Sequence, residues 1–400
     1  MIPENSMTIV ACPDSFKGSL GAAEAATALA LGARSVFGPG ANIIELPLAD
    51  GGEGSLDALL AAWGSNQQTL SVHDAIGRPA TARFGVSADG RTGMIEAAEA
   101  NGLPQVSDVP LQPLRADSRG VGEIAVHLLN AGITEIMLFI GGSASTDGGT
   151  GFLNALGVRF LDAAGFPVAP GGGGLADIAR IDPSGLHPAA SAACWELAVD
   201  VSNPICGPRG AAAVFGPQKG AGADDVSALD AGLEHLARIL AAQAGIDAAE
   251  FLEREGLGAA GGLPACLVAL LGARTVPGST LVSEALDLEG LLADADLVLT
   301  GEGRLDSQSL GGKVVDAVRR LSPADTPVIV IAGTVELDSA RCRAEGITAA
   351  FSIARGPATL AALSVDTASL VRDAAAQACS LLGFSTLSTR AYGKPRSPRP

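Results

Sequence analysis

The stretch "DLVLTGEGRLDSQSLGGK", Asp296 to Lys313, indicates both the class of fold and the kind of chemistry in this chain. Its opening run, Leu297–Leu299, is apolar on both faces and predicts a strand buried inside a sheet. Four charged residues then follow among four glycines: Glu302, Arg304, Asp306 and Lys313. An ordinary strand-to-helix turn needs only a glycine and a capping residue, so this turn has more charge than its conformation requires.

Six further segments have the same form, a short apolar run that ends in glycine, an acid or proline. They are "MTIVACPDSFKG" (7–18), "NIIELPLADGGEG" (42–54), "EIMLFIGGSASTDGG" (135–149), "ELAVDVSNPICG" (196–207), "PVIVIAG" (327–333) and "AAFSIARG" (349–356). Helical periodicity lies between several of them, as in Val226, Leu229, Leu233, Leu236 and Leu240, which recur at steps of three and four. Strands that alternate with helices predict an α/β fold with a doubly wound parallel sheet.

One region departs from this alternation. The segment "TLSVHDAIGRPATARFGVSADGRTGMIEAAEA" (69–100) alternates apolar and polar residues, with turn residues at Gly77–Pro79 and Asp89–Gly90, and so predicts antiparallel hairpins. We therefore expect a second, mixed α+β domain inserted into the first, whereas the strands near 136–140 and 197–201 fit either domain. The predicted limits are 1–70 with 285–384 for the α/β domain, 71–284 for the inserted domain and 385–400 for a disordered tail.

Length, charge and cysteine usage limit the classes of protein. The 400 residues exceed the size at which single cores stop growing, about 250–300 residues. A net charge of −17 disfavours a nucleic-acid partner. The N-terminus lacks a basic signal region, no run reaches the roughly 18 apolar residues of a membrane span, and the six cysteines are scattered. We expect a cytoplasmic protein without a membrane partner, either a monomer or a homodimer.

Ligands of doubly wound sheets bind beyond the carboxyl ends of the strands, so the residues there are the site candidates. Beside those of the quoted stretch they are Asp14, Ser15, Lys17, Asp50, Gly51, Gly52, Glu53, Gly141, Gly142, Ser143, Asp147, Asp200 and Lys219. A capped turn or a solvated salt bridge would explain any one of them. The whole set matches phosphoryl transfer, in which a protein holds phosphates, neutralises charge with Mg²⁺ and orients an attacking hydroxyl.

Other reaction classes have less support. No GxSxG elbow or Cys–His pair favours acyl transfer. Lys313 follows Gly312, but Ser307 and Val314 break the GxxxxGK[ST] pattern of P-loop NTPases. None of these strand-end turns has the GxGxxG fingerprint of nicotinamide-dependent dehydrogenases. A non-catalytic nucleotide-binding or sugar-acid-binding protein on the same fold is the main alternative to a kinase.

Six segments occur in the order and approximate spacing of the type I glycerate kinase family, which the chain resembles over about residues 7–384. They are "PDSFKGS", "ADGGEG", "IGGSASTDGG", "DVSNPICGPRGAAAVFGPQKGA", "GAAGGLP" and "TGEGRLDSQSLGGK". The resemblance implies a flavodoxin-like α/β domain, a second α+β domain and an active site in the cleft between them. It also implies ATP, Mg²⁺ and D-glycerate, with 2-phosphoglycerate as the general product. Departures at Ala97, Ala98, Asp117–Glu123 and Thr146 affect the expected substrate preference more than the phosphotransfer.

The roles predicted for these residues follow from their chemistry and from the resemblance. Lys17 or Arg304 would bind the glycerate carboxylate, and Asp50 or Asp306 would accept or orient the proton of the attacking hydroxyl, with Lys17 as a third catalytic candidate. Asp200 and Glu302 would bind Mg²⁺ directly or through water. Further substrate contacts are assigned to Asp14, Ser15, Ser143 and Asp147, and phosphate contacts to Gly51, Gly52, Gly141, Gly142, Lys219 and Lys313.

Overall fold

The computed structural model describes residues 7–52, 54–357 and 359–392, which form two compact units. The first unit comprises Met1–Asp50, Asp57–Ala62 and Val282–Pro400, and the second comprises Gly51–Leu56 and Trp63–Leu281. No helix in these described ranges is long and apolar enough to cross a membrane.

The described residues contain thirteen strands: β1 Thr8–Ala11, β2 Asn42–Glu45, β3 Gln68–His73, β4 Pro79–Val86, β5 Thr92–Glu96, β6 Glu135–Phe139, β7 Arg159–Leu161, β8 Arg180–Asp182, β9 Cys194–Ala198, β10 Arg274–Val276, β11 Leu297–Leu305, β12 Val328–Val335 and β13 Ala349–Ser352. They also contain fifteen α-helices: α1 Ala22–Phe37, α2 Ser55–Trp63, α3 Ala98–Asn101, α4 Arg119–Asn130, α5 Thr150–Ala155, α6 Ala211–Phe215, α7 Ala223–Ala244, α8 Ala248–Glu253, α9 Leu263–Leu271, α10 Gly278–Ala285, α11 Leu288–Ala293, α12 Val314–Leu321, α13 Ser339–Ala344, α14 Leu360–Val365 and α15 Thr367–Tyr392.

The first unit is built on a five-stranded sheet with the order β2-β1-β11-β12-β13, in which all neighbouring strands are parallel. Counted along the chain within this unit, the order is 2-1-3-4-5, which is that of flavodoxin-like folds. The predicted flavodoxin-like α/β fold is therefore confirmed. The strand order reverses between β1 and β11, and ligands of such sheets bind outside the carboxyl ends of the strands at this reversal.

Helices cover both faces of this sheet. Because successive strand residues point to opposite faces, Ile329 and Ile331 pack with α1 and α15, while Val330 and Ala332 pack with α12 and α13. Helix α1 approaches α15 closely at Gly32, where an added Cβ would lie 2.5 Å from the carbonyl oxygen of Arg372. The sheet is therefore buried on both sides, as its apolar strand sequences predict.

Strand β11 is longer than the sequence suggests. It continues through the glycines to Leu305, and Glu302 and Arg304 pair with Ala332 and Thr334 of β12. At Gly301 an added Cβ would lie 2.3 Å from the carbonyl oxygen of Ile331, so this glycine permits close strand pairing. The prediction of a turn that begins at Gly301 is wrong, because the turn follows Leu305.

The second unit contains a six-stranded mixed sheet with the order β10-β9-β6-β5-β4-β3. Strands β5, β6, β9 and β10 are parallel, whereas β3 and β4 are antiparallel, which confirms the predicted hairpins and the mixed α+β class. The strands near 136–140 and 197–201, which the sequence leaves between two domains, are the neighbours β6 and β9 of this sheet. The four leucines of α7 are fully buried, and each stabilises the fold by about 2 kcal/mol.

The boundaries between the two units differ from the predicted domain boundaries at several positions. Strand β3 begins at Gln68 and pairs with β4, so a limit at residue 70 lies inside a strand of the second unit. The segment Gly51–Leu56 also groups with the second unit. Residues 385–392, expected in a disordered tail, continue helix α15, and residues 393–400 lie outside the described residues.

Candidate functional site

Three strand ends of the first unit come together. The backbone N–H of Asp14, after β1, donates to the carbonyl oxygen of Gly301 in β11 at 2.8 Å. The chain after β2 reaches the same place, since the N–H of Leu48 donates to the carbonyl oxygen of Pro13 at 2.9 Å. Asp14 interacts electrostatically with Asp50 and with Glu302. We call the group of Asp14, Asp50, Glu302 and Asp306 the carboxylate cluster.

Asp14 lies half-buried in the carboxylate cluster. Burial and, to a smaller extent, the charge of Asp50 raise its pKa to about 6, although hydrogen bonds from Ser15 and the charge of Lys17 act in the opposite direction. The N–H of Ser15 donates to Oδ1 of Asp14 at 2.6 Å. Asp14 therefore changes its charge close to neutral pH.

Glu302 is the most buried member of the carboxylate cluster, with 9% of its surface exposed. Its Oε1 has no hydrogen-bond partner among the described residues. Burial raises the pKa of Glu302 to about 7; Asp14 and Asp306 also raise it, whereas Ser309 and Lys313 act in the opposite direction. A buried carboxylate oxygen without a donor is unfavourable, so this oxygen is suited to bind a cation or a proton.

Asp306 and Lys313 occupy the turn between β11 and α12. Oδ1 of Asp306 accepts a hydrogen bond from the N–H of Gln308 at 2.8 Å, so this carboxylate also caps a short 3₁₀ turn, Ser307–Leu310. Lys313 is the N-cap residue of α12. Asp306 and Lys313 both lie between β11 and α12, as the sequence predicts, and the charges of both act on Glu302.

A buried acid that sequence reasoning missed, Asp316, supports this turn. It is 3% exposed, and its Oδ2 accepts from the N–H of Gly312, whose φ of +95° is a glycine conformation, at 3.0 Å. Arg319 lies 2.5 Å from the other oxygen of Asp316. An acid in the first helical turn after two glycines was the available signal.

The cations Lys17 and Arg304 are both exposed. The guanidinium of Arg304 lies 3.5 Å from Oε1 of Glu336, and both side chains are largely in solvent. Such a pair is weak, with a typical strength below about 1 kcal/mol, so Arg304 remains available to an anionic ligand.

In the second unit, the loops at the carboxyl ends of the parallel strands meet. An added Cβ at Gly51 would lie 2.5 Å from Cα of Gly278 and 3.1 Å from Oδ2 of Asp200, and one at Gly141 would lie 3.6 Å from Cα of Gly52. Oδ1 of Asp200 accepts from the N–H of Gly278, the first residue of α10, at 2.9 Å. The predicted Gly51, Gly52, Gly141 and Asp200 are therefore neighbours, and Glu53 lies outside the described residues.

Glu96 is a second acid that sequence reasoning did not assign. It is 3% exposed at the end of β5, and its two carboxylate oxygens accept from the N–H groups of Gly54 and Leu56, each at 3.2 Å. A carboxylate at this position stabilises the start of α2. Its position directly after an apolar strand could have identified it.

Asp147 has a different role from the predicted substrate contact. It is fully buried, and its carboxylate accepts hydrogen bonds from the N–H and hydroxyl of Ser118 at 2.9 and 2.7 Å, from Gly151 at 3.0 Å and from Gly149 at 3.3 Å. These donors belong to the starts of α4 and α5. The prediction is corrected: Asp147 joins two helix starts and shapes the loop 141–149.

Lys219 is also inside the protein, with 3% of its surface exposed. Its Nζ donates to Oγ of Ser143 at 3.1 Å and to the carbonyl oxygen of Ser145 at 2.5 Å. Burial lowers the pKa of Lys219 to about 8, and the charge of Asp147 acts in the opposite direction. The predicted direct contact of Lys219 with a phosphate is corrected, because its ammonium is enclosed behind the loop.

The "GAAGGLP" motif supports the same loop from another side. Ala260, Gly261 and Gly262 have φ angles of 49°, 71° and 88°, and the N–H of Gly148 donates to the carbonyl oxygen of Gly261 at 3.0 Å. An added Cβ at Gly261 would lie 2.2 Å from the carbonyl oxygen of Ser145. Gly256, Gly258 and Gly261 have the GxGxxG spacing. This segment follows helix α8 rather than a strand, so it is not a dinucleotide-binding fingerprint.

The candidate residues therefore form two groups, one in each unit. The first unit holds clustered carboxylates with two lysines and an arginine, and the second holds a glycine-rich loop with a buried lysine. Within the described residues, no three or more His, Cys, Asp or Glu side chains are grouped to hold a metal ion. Carboxylates that change charge near neutral pH and loops with unshielded backbone suit acid–base chemistry and the binding of anions.

Comparisons with known proteins agree with this chemistry. The chain matches the sequence model described as "Glycerate kinase family" over residues 9–383. It is 45% identical over 355 residues to "Glycerate kinase" of Bacillus subtilis (strain 168), covering 88% of this chain and 92% of that protein. It is 42% identical, with the same coverage, to "Glycerate 2-kinase" of Escherichia coli (strain K12). A crystal structure from Salmonella typhimurium LT2 that carries the name glycerate kinase 2 has a TM-score of 0.87 at 42% identity, covering 96% of this chain and all of that one.

Proposed function

The chain belongs to the glycerate kinase family, and we propose that this kinase transfers the γ-phosphoryl group of ATP to D-glycerate, with 2-phosphoglycerate as the product. The name glycerate 2-kinase of the Escherichia coli relative supports both the substrate and the position of phosphorylation, and the name of the Salmonella relative supports the substrate. The observation that carries the proposal is the carboxylate cluster at the strand-order reversal of the flavodoxin-like sheet, where ligands of such sheets bind.

The proposed roles in the first unit follow from exposure and charge. Lys17 and Arg304 are the exposed cations suited to the carboxylate of D-glycerate, and Ser15 and Asp14 are the polar neighbours of Lys17 on the segment after β1. Asp50 or Asp306 accepts or orients the proton of the attacking hydroxyl. Lys313, beside Glu302 at the start of α12, is suited to a phosphate oxygen.

The residues present fit a magnesium ion. Glu302 offers a buried oxygen without a donor, and the nearby carboxylate of Asp14 adds negative charge that favours a cation. Mg²⁺ is usually bound by one or two carboxylates, with waters and substrate phosphates as the other ligands. Glu302 and Asp200 are the two candidates for the ion, each as a direct or water-mediated ligand. When bound, Mg²⁺ neutralises negative charge on the transferred phosphoryl group.

The second unit would contribute backbone to the phosphates or the substrate. Gly51, Gly52, Gly141 and Gly142 have no side chains, so a ligand can reach their backbone, and Ser143 adds a hydroxyl next to them. The proposal includes a cytoplasmic location and a monomer or homodimer. All six cysteines are free thiols, which supports a reducing compartment.

The proposal is tested by incubating the purified chain with ATP, Mg²⁺ and D-glycerate, measuring ADP release, and identifying the product by phosphorus NMR. Binding of both ligands without ADP release would favour the alternative of a non-catalytic binding protein. A 3-phosphoglycerate signal would correct the product.

Two asparagine variants identify the acid that acts on the hydroxyl. Asp50→Asn and Asp306→Asn are compared, and the variant that removes the acting carboxylate should lose at least about 100-fold in turnover. Asp338→Asn is the matched control for Asp306, because Asp338 caps α13 with an equal 2.8 Å hydrogen bond, to the N–H of Arg341. Near-normal turnover in both test variants would remove this assignment.

A further inference from the structure

Three consecutive backbone N–H groups of the loop 141–149 have no acceptor in the part of the chain that the structure describes. Among the described residues, the N–H groups of Gly141, Gly142 and Ser143 donate to no protein acceptor, although the carbonyl oxygen of Gly142 accepts from Leu103. Gly141 and Gly142 are exposed at the end of β6. Successive N–H groups without acceptors form concave sites for anions in many proteins.

The ammonium of Lys219 lies directly behind these groups. Its two hydrogen bonds, to Oγ of Ser143 and the carbonyl oxygen of Ser145, go to neutral acceptors. The carboxylate of Asp147 acts on Lys219 only at a distance, since its hydrogen bonds go to Ser118, Gly149 and Gly151. A buried ammonium without a hydrogen-bonded carboxylate is unfavourable by itself, and a nearby anion would offset that cost.

The rest of the loop is fixed from other directions. Nδ2 of Asn101 donates to Oγ of Ser145 at 2.8 Å, Gly261 packs against Ser145, and Asp147 holds the end of the loop. The loop is therefore held at Ser143, Ser145 and Asp147 by contacts within the protein, and Lys219 is its buried cation.

We propose that Lys219 is a positioning residue that acts through the loop: its ammonium fixes Ser143 and Ser145 and supplies the positive charge with which the N–H groups of 141–143 bind an anionic group. The anion is a carboxylate or a phosphate, and its identity as part of D-glycerate or ATP rests on the proposed function.

The charge of this loop depends on pH in a defined direction. Asp147 acts on Lys219, and Asp147 also acts on Asp117, whose pKa is raised to about 6 by burial. Asp117 is therefore ionised above neutral pH, while Lys219 loses its proton as the pH rises through about 8. Anion affinity of the loop is expected to fall between about pH 7 and pH 9.

The test is calorimetric binding of three probes to the full chain: D-glycerate, a non-hydrolysable ATP analogue, and sulfate, which keeps its charge over this pH range. Wild type should bind one of the two organic ligands about tenfold more weakly at pH 9 than at pH 7, and sulfate should follow the same trend. Lys219→Met should show the weaker affinity at both pH values, and Lys219→Arg should restore part of the affinity at both. Arg238→Met, which removes an exposed positive charge from α7, is the control and should bind as wild type does.

The outcomes are separable. Dependence of the glycerate affinity on Lys219 identifies a carboxylate site, and dependence of the nucleotide affinity identifies a phosphate site. The inference is overturned if wild-type affinities do not change with pH and Lys219→Met binds as wild type does. If Lys219→Met does not fold, the pH dependence of binding to wild type decides by itself. Absence of glycerate phosphorylation by wild type would instead count against the proposed function, with sulfate still reporting on the loop.

Discussion

Glu302 lies in β11 of the first unit and Asp147 lies in the loop after β6 of the second. Both acids are buried, but their hydrogen-bond partners differ. Asp147 accepts four hydrogen bonds from two helix starts. Glu302 has an oxygen with no donor among the described residues, and its pKa is raised to about 7. A carboxylate with all its donors is therefore part of the framework, whereas a buried carboxylate oxygen without a donor is available to a cation or proton.

The largest expected effect is the separation of activity from stability at Glu302. Glu302→Gln should lower turnover at least about 100-fold, the scale of a positioned charged group, because under the proposed assignment Mg²⁺ would lose a ligand. The same change should raise the free energy of unfolding near pH 8 by about 1–3 kcal/mol, since it removes a buried charge of which one oxygen has no donor. ADP release and urea unfolding measure the two effects. Wild-type turnover, or a loss of stability, would contradict this view of Glu302.

Asp147→Asn should show the reverse pattern, with stability as the main loss. The asparagine amide cannot accept all four hydrogen bonds, so we expect a loss of about 3 kcal/mol in the free energy of unfolding. The control is Asp162→Asn, a half-buried acid that accepts from the N–H groups of Ala164 and Phe166 and should lose about 1 kcal/mol or less. Equal losses in the two variants would remove the distinction between framework and available acids.

The free energy of unfolding should depend on pH through Glu302 and Asp14. Folding raises the pKa of Glu302 from 4.5 to about 7 and that of Asp14 from 3.8 to about 6, so the folded state binds more protons between these values. Their stabilisation is full below about pH 4 and is lost as the pH rises to about 7. For Glu302 the loss is on the order of 3 kcal/mol. Urea unfolding without Mg²⁺ should show a smaller fall over this range in Glu302→Gln than in wild type, and parallel pH curves would contradict the prediction.

The smallest expected effect concerns Thr146, next to Asp147. Its hydroxyl is fully buried and has no hydrogen-bond partner among the described residues. Thr146→Val keeps the shape and should change the free energy of unfolding by less than about 0.5 kcal/mol, or raise it. Ser118→Ala is the contrast and should lose about 2 kcal/mol, because Asp147 and the N–H of Phe152 would both lose a partner. Thermal unfolding compares the two, and a large loss for Thr146→Val would reveal a partner for its hydroxyl.

The sequence predicted the strands and the positions of the acids well, because both depend on local patterns. Apolar runs that end in glycine and acid marked the strands that carry the carboxylate cluster, and the steps of three and four marked α7. The glycines of β11 led to the wrong prediction of a turn at Gly301. Glycine permits close strand pairing as well as a turn, and the sequence does not distinguish the two.

The roles of Asp147 and Lys219 could not be predicted, because their partners are distant in sequence. Asp147 meets Ser118 across 29 positions, and Lys219 meets Ser143 across 76. A lysine or an aspartate in a glycine-rich segment looks the same whether its charge faces a ligand or the interior. Only the pairing of β5, β6 and β9 places these segments together and decides between the two.

The first sheet takes β1 and β2 from the start of the chain and β11 to β13 from its end, so Ile9 pairs with Leu297. On the ribosome, every residue of the second unit emerges before β11 does, and that unit is free to fold first. Until β11 is made, β1 lacks one of its two partner strands, and its apolar residues, fully buried in the folded protein, are without that cover. The order of synthesis thus makes the N-terminal strand, rather than the long inserted segment, the vulnerable part of the newborn chain.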